Sequence, residues 1–165
     1  MNISSFYFVL LFVLCFSSCK QTIPESNTDE FIIRDGFEIE IIAEAPLIQA
    51  PVAMTEDEKG RWWVVEMTGY MRDIDGNGED IADGRIVILE DTDGDQRMDN
   101  RIVFADQLLN PRAIALVYGG ALYTSGTSLY WSEIINDKAK DTILVDSLYV
   151  VGGNIEHQPN GLYYN

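Results

Sequence analysis

Short runs of apolar and β-branched residues, separated by glycine, aspartate and asparagine, make up most of the chain after residue 34. Alternation of this kind is typical of β-strands, and turn-forming residues separate one strand from the next. We predict strands over residues 37–41, 52–56, 61–66, 85–90, 101–104, 112–117, 121–124, 128–134 and 142–145. No stretch after residue 20 has a sustained helical period, so the predicted fold class is all-β.

A short motif recurs along these strands. Pro-x-Ala-apolar occurs at Pro51 and at Pro111, each time followed by an apolar run, a turn and a second run, and residues 159–162 begin a third copy. Such self-similarity predicts repeated supersecondary units. Four antiparallel strands per repeat is the blade of a β-propeller, in which residues 37–41 would lend a strand to the closing blade.

The predicted architecture is therefore an incomplete β-propeller of about two blades with the start of a third. Propellers typically close with about 4–8 blades, so we expect the chain to be part of a longer protein. A small all-β domain that closes in another way is the alternative. The chain stops within a predicted strand, which favours the first interpretation.

If the repeats are blades, strand direction assigns the loops to two ends. One end collects the loops that hold Gln49, 66–83, 110–112, 124–128 and 150–160. The other end collects 91–99 and 136–140. We expect the functional site at the first end, where propellers usually carry their central site. At the second end we expect contacts that only stabilise the structure.

The first residues read as an export signal. The apolar run Phe6–Phe16 is shorter than the roughly 20 residues that span a bilayer, and Phe16-Ser17-Ser18-Cys19 resembles a bacterial lipoprotein signal with an acylated Cys19. We predict a lipoprotein signal peptide over 1–19, a flexible tether over 20–33 and the propeller part over 34–165, held by its lipid anchor at the cell envelope on the periplasmic face or cell surface. No Lys or Arg precedes the run, which leaves an uncleaved anchor or a plain signal peptide open.

The cysteine count agrees with this assignment. Both cysteines, Cys15 and Cys19, lie in the signal segment, so the mature domain has neither a disulfide nor a CxxCH haem-attachment site.

The formal net charge is −16. A chain this acidic repels nucleic acid and anionic lipid headgroups, so we expect no nucleic-acid partner. Many acidic residues fall between Asp73 and Asp99. They predict either a solvated acidic surface or sites for divalent cations.

The segment 91–99 has the spacing of a calcium loop. Positions one, three, five and nine hold Asp91, Asp93, Asp95 and Asp99, and Arg97 supplies a carbonyl at position seven. Gln96 stands where glycine usually makes the sharp turn, and Ile102 where a bidentate glutamate usually binds. A solvated hairpin tip remains the alternative.

A second acidic stretch matches the beginning of such a loop. Asp73, Asp75 and Asn77 occupy its first, third and fifth positions, followed by Gly78. The later positions lack ligands, although Asp80 could substitute. Calcium is again one of two interpretations.

His157 is the only histidine, and Glu156 precedes it in a loop at the predicted functional end. An imidazole can take a proton near neutral pH, and a neighbouring carboxylate can orient it. The alternative is a loop histidine that bonds only backbone. The sequence contains no G-x-S-x-G elbow, no zinc ligand set and no phosphate-binding loop.

Several segments together resemble one family, the sorbosone-dehydrogenase-like β-propellers, a group of membrane-bound dehydrogenase domains. The resemblance runs from about residue 34 to the end through GFEIE, PVAMTEDEKGRWWVVEMTGY, GRIVILEDTDGDQRMDNRIVF, PRAIALVYGG and VGGNIEHQPNGL. That family is distantly similar to the soluble sugar dehydrogenases that use pyrroloquinoline quinone (PQQ), which are also β-propellers. The resemblance implies a sugar or aldehyde substrate, PQQ and calcium as cofactors, and a cytochrome c as electron acceptor.

The resemblance also implies roles for individual residues. His157 would take the hydroxyl proton while hydride passes to the quinone, and Glu156 would orient it. Arg112, Gln158 and Asn160 would contact the cofactor, Arg112 through a quinone carboxylate or a substrate oxygen. The later blades and the attached cytochrome c domain are absent from this sequence, so we expect the chain alone to be inactive. A non-catalytic propeller that binds carbohydrate or protein, and a nonfunctional remnant, are the alternatives.

Overall fold

Two four-stranded antiparallel sheets form the described structure, which is a computed structural model covering residues 31–150 and 158–162. The first sheet contains β1 (Pro51–Glu56), β2 (Trp62–Glu66), β3 (Gly84–Glu90) and β4 (Asn100–Leu108). The second contains β5 (Ile114–Val117), β6 (Gly120–Ser125), β7 (Ser128–Ile135) and β8 (Lys138–Asp146). In each sheet the spatial order of the strands follows the chain. The described residues include no helix, and the all-β prediction is confirmed.

The strand predicted over 37–41 is wrong, because these residues are irregular and pair with no strand of the described chain. A strand needs a hydrogen-bonded neighbour, and the prediction relied on a closing blade to supply one. The described residues up to Ile39 form a unit of their own, separate from the residues that begin at Glu40.

Local hydrogen bonding and turn geometry explain two of the differences in strand length between the prediction and the structure. Asn136 and Asp137 both have positive φ, 51° and 58°, as the two-residue hairpin turns that match strand twist require. The ladder therefore continues up to this turn, where Ile135 pairs with Lys138, and β8 begins earlier than predicted. In contrast, β5 begins only at Ile114, because the amide of Arg112 donates to the Thr124 side chain (3.1 Å).

The central strand β3 is buried on both faces, as its run of apolar residues indicates. Its residues Ile86 and Ile88 pack with Trp63 and Val65 in the core that joins the two sheets. Val87 and Leu89 face the other way, against a cluster that includes Leu47 and Trp62. Trp63 is buried and Trp62 is half-buried, because adjacent residues of a strand face opposite sides of the sheet.

Three aromatic rings fill the space between the sheets. Phe104 lies edge-on to Trp63 and to Tyr123, with ring centroids 4.8 and 6.5 Å apart. The first strands of the two sheets contact each other, and so do the fourth strands. The Arg61 guanidinium adds an ion pair across the sheets to Asp137 (2.9 Å). The two sheets therefore pack face to face, with their equivalent strands next to each other.

Hydrogen bonds bring the predicted group of loops together at one end. The Gly126 amide donates to the Leu109 carbonyl (2.6 Å), and the Val150 amide donates to the Thr127 carbonyl. The Asn110 side chain donates to the Glu79 carbonyl (2.8 Å), which ties the long β2–β3 loop to the connection between the sheets. Loops that the sequence predicted to share one end of the sheets are thus joined by hydrogen bonds in the structure.

Candidate functional site

Arg112 is the most distinctive side chain at the loop end. It is 7% exposed, and its Nη1 atom is buried with no hydrogen-bond partner. Burial lowers the pKa of its guanidinium below the usual value, and nearby Tyr70 acts in the opposite direction. The described ion pairs involve Arg61, Arg72, Arg85, Arg97 and Arg101, and none involves Arg112.

A buried guanidinium without a carboxylate partner is costly, because burial removes the water that solvates its charge. Its fork of N–H donors suits a planar carboxylate. The backbone amide of Arg112 is held by Thr124 of β6, so the second sheet fixes the position of this residue. The arrangement is therefore suited to an anionic or oxygen-rich ligand.

The other residues expected near Arg112 divide into two groups. Gln158 is half-buried and Asn160 is exposed, and neither has a described hydrogen bond to Arg112. His157 and Glu156 lie outside the described residues, as does Cys19. Their assigned roles stay predictions.

Glu66 is a fully buried carboxylate that the sequence analysis did not single out. It accepts a hydrogen bond from Arg101 (2.8 Å) and one from the Gln49 amide (2.9 Å), and Arg85 lies 3.6 Å away. The only feature of the sequence that could have indicated its burial is its position at the end of an apolar strand, WWVVE. Because its oxygens are occupied, we assign it to fixing the chain that leads into β1.

The β3–β4 hairpin at the opposite end carries the acidic cluster. Carboxylate oxygens of Asp91, Asp93 and Asp95 lie within 4.8 Å of one another, and this is the one such group among the described residues. Asp91 accepts from the amides of Gly94 (2.7 Å) and Gln96 (2.9 Å). The amides of Gln96 and Gly94 lower the pKa of Asp91, so it stays ionised. The cluster fits the oxygen donors that calcium prefers.

The turn forms at the sixth position although glycine is missing there. Gln96 adopts the left-handed conformation, with φ of 73°, in addition to Gly94 at 83°. Asp99 is directed elsewhere, because its carboxylate accepts from the Thr92 amide (3.0 Å) and hydroxyl (2.7 Å). Ile102 lies in β4 and pairs with Ile88. The structure thus brings three of the four predicted aspartates together.

Asp73, Asp75 and Asn77 form a self-contained turn. The Asp73 carboxylate accepts from the amides of Asp75 (3.0 Å) and Asn77 (3.1 Å) and from the Asn77 side chain (3.0 Å). These bonds, led by the Asn77 side chain, lower the pKa of Asp73. An Asp–Asn turn of this kind needs no ion to hold its shape.

A cleft of about 780 Å³ opens at the hairpin end, between the β1–β2 turn and the β5–β6 turn. The arginine of this cleft is already paired, since Arg61 contacts Asp57 (2.8 Å), Glu90 (3.0 Å) and Asp137 (2.9 Å). Burial would lower the pKa of Arg61, but these acids together raise it above its usual value. We therefore place the candidate site at the loop end and not in this cleft.

The fold defines an all-β protein built from repeated four-stranded antiparallel sheets. The chain belongs to the family described as Domain of unknown function (DUF7133), which matches residues 23–165. No curated protein and no solved structure matches the chain. Across residues 31–150 and 158–162, no helix has the length and apolar character needed to cross a membrane.

Proposed function

We propose that the two sheets are consecutive blades of a β-propeller, and that the propeller is a quinone-dependent dehydrogenase of sugars or aldehydes at the cell envelope. Arg112 is the observation on which this proposal depends. Its buried, unpartnered Nη1 lies at the end where the loops gather. The chemistry comes from the resemblance to the sorbosone-dehydrogenase-like family.

The facing directions of equivalent residues support the propeller. Met54 and Ile114 occupy the same position of the proline-led motif. Met54 pairs with Val64, on the face of the first sheet that points away from the second. Ile114 pairs with Tyr123, on the face of the second sheet that packs on the first. The sheets thus stack head to tail, and a head-to-tail arrangement forms a ring when its rotation closes.

Exposed apolar residues on both outer faces support further blades. Met54 is 58% exposed, whereas its equivalent Ile114 is 4% exposed. On the far face of the second sheet, Ile143 pairs with Trp131 and is 54% exposed. Neighbouring repeats would cover both faces, as the second sheet covers the first.

The residues at the loop end fit a PQQ-type cofactor in one respect. A carboxylate of the quinone would complete the donor set of Arg112, whose Nη1 is otherwise unpartnered. The bound quinone would supply the hydride acceptor. In this proposal His157 takes the substrate proton, Glu156 orients His157, and Gln158 and Asn160 belong to the same loop. Cys19 provides a lipid anchor, and a cytochrome c removes the electrons.

Calcium has a structural role in the proposal. The Asp91–Asp95 cluster lies on the β3–β4 hairpin, at the end of the sheet away from Arg112. An ion there would order the hairpin tip rather than take part in the reaction.

The test uses the full-length gene product with PQQ and calcium, and follows dye reduction with aldoses. We expect Arg112→Gln to weaken PQQ binding by about tenfold or more, since a charge-assisted hydrogen bond is lost. Arg97→Gln is the matched control, because the Arg97 side chain is 53% exposed and pairs with Glu44.

His157→Ala should abolish dye reduction and leave PQQ binding in place. Equal PQQ affinity in the Arg112 and Arg97 variants would contradict the role of Arg112. Aldose binding without any dye reduction would favour a non-catalytic carbohydrate-binding propeller.

A further inference from the structure

Three oxygen atoms converge on the space beside Gly69 in the β2–β3 loop. A Cβ atom at this glycine would lie 2.9 Å from Asp83 Oδ1, 3.3 Å from the Ile81 carbonyl oxygen and 3.4 Å from Asn110 Oδ1. Gly69 does not have the left-handed φ that favours glycine. Glycine is therefore favoured here by the close approach of these oxygens, the nearest of which would clash with a Cβ atom.

Two of these oxygens are buried and have no partner. Asp83 Oδ1 and Asn110 Oδ1 both lack a hydrogen bond, and Asn110 is only 6% exposed. The orientation of the Asn110 amide is fixed by chemistry, because its nitrogen donates to the Glu79 carbonyl (2.8 Å) and the oxygen must take the other side. Buried acceptors are rarely left unpaired, so a missing partner is expected here.

The neighbouring charges leave one oxygen of Asp83 without a counter-charge. Arg72 forms an ion pair with Asp83 Oδ2, whereas Oδ1, which lies beside Gly69, has no partner. The Asp83 backbone is held by the Thr68 hydroxyl, which donates to its carbonyl (2.9 Å). The loop therefore presents a fixed carboxylate oxygen beside Gly69, where the three nearest atoms outside the adjoining residues are oxygens.

We infer that this position binds a hard divalent cation of the calcium class. A carboxylate, an amide carbonyl and a backbone carbonyl are the mixture of oxygens that calcium takes in proteins. The Ile81 carbonyl also accepts from the Asp83 amide (3.0 Å), and its second lone pair remains available to a cation. Calcium would bind these oxygens at distances of about 2.3–2.6 Å, at a point farther from the Gly69 backbone than a bonded Cβ atom.

The cation would cross-link two loops of the candidate site. Asp83 and Ile81 end the β2–β3 loop, and Asn110 lies two residues before Arg112 in the connection between the sheets. Binding would hold this connection in place. This inference depends on neither the quinone nor the dehydrogenase reaction.

The test titrates calcium into the chain with the hairpin cluster removed by Asp93→Asn and Asp95→Asn, after chelator treatment. We expect calorimetric binding to remain, together with a rise in Tm of about 5 °C or more at a hundredfold excess over Kd. Adding Asp83→Asn keeps the shape and removes the charge, and we expect calcium affinity to fall at least tenfold. Asp141→Asn, an exposed acid of β8, is the control and should leave the affinity unchanged.

Crystals grown with calcium provide an independent measurement that no folding defect of a variant can affect. We expect an anomalous peak beside Gly69, about 2.3–2.6 Å from the three oxygens. A water at hydrogen-bond distance there, no heat in the hairpin-depleted chain, or equal losses from Asp83→Asn and Asp141→Asn would each overturn the inference.

Discussion

Asp57 organises the β1–β2 turn through both of its carboxylate oxygens. One oxygen accepts from the Trp63 indole (3.0 Å) and from the Arg61 guanidinium (2.8 Å), and the other from the amides of Lys59 (2.9 Å) and Arg61 (3.0 Å). Burial alone would raise the pKa of Asp57. The hydrogen bonds, with that of Trp63 first, outweigh burial and hold the pKa below its usual value. One turn residue thus positions a core tryptophan and an inter-sheet arginine.

We expect Asp57→Asn to lower the free energy of unfolding by about 2–3 kcal/mol at pH 7, since hydrogen bonds to a charged acceptor are weakened. Because the folded pKa is depressed, this contribution is complete above the unfolded pKa of 3.8 and is lost as the pH falls through the folded pKa. The difference between wild type and variant should therefore shrink below about pH 4. Urea denaturation across a pH series measures it.

Glu58→Gln provides the control, because Glu58 is an exposed acid of the same turn. Its free energy of unfolding should stay within about 0.5 kcal/mol of wild type. A difference between wild type and Asp57→Asn that does not change with pH would contradict the assignment.

At the scale of the element, the β3–β4 hairpin shows what sequence spacing can predict. The alternating aspartates predicted a shared site, and the turn does bring Asp91, Asp93 and Asp95 together. Spacing did not predict the direction of Asp99, because that depends on Thr92 across the base of the hairpin. Nor did composition predict that Gln96 would take a left-handed φ, which follows from the two amides bound to Asp91. Local pattern sets the turn, and bonds within it decide the side-chain directions.

We expect Asp95→Asn to reduce calcium affinity at the hairpin by about tenfold or more, because a charged ligand becomes neutral. Calorimetry in an Asp83→Asn background isolates this site from the one beside Gly69. Asp106→Asn, an exposed acid of β4, should leave the affinity unchanged. Equal calcium affinities of Asp95→Asn and Asp106→Asn would show that the aspartates of the hairpin are only solvated and bind no ion.

For the whole molecule, we expect the aromatic contact between the sheets to couple their unfolding. Phe104 is 3% exposed and touches a ring from each sheet. Strand periodicity predicted the separate sheets, because alternation is a local property. The partnership of Arg61 with Asp137 was not predictable, since it joins turns of different repeats. The same holds for Asn110 and Asp83, whose approach depends on how the loops fold back.

We expect Phe104→Ala to lower the free energy of unfolding by about 3–5 kcal/mol, because it leaves a cavity between the sheets. Hydrogen exchange should show both sheets losing protection together. Met54→Ala removes a large side chain that is 58% exposed, and should cost far less. Loss of protection in one sheet alone would show that the sheets unfold independently.

The consecutive order of strands within each sheet has a consequence for biogenesis and ancestry. Every ladder of the two sheets joins strands that are neighbours in the chain, so contact order within a sheet is low. The four strands of one sheet, here called a quartet, can therefore pair while later residues are still being synthesised. An in-frame duplication or deletion of one quartet would leave every surviving strand with its original neighbours. Such a chain can gain or lose whole quartets in single genetic events.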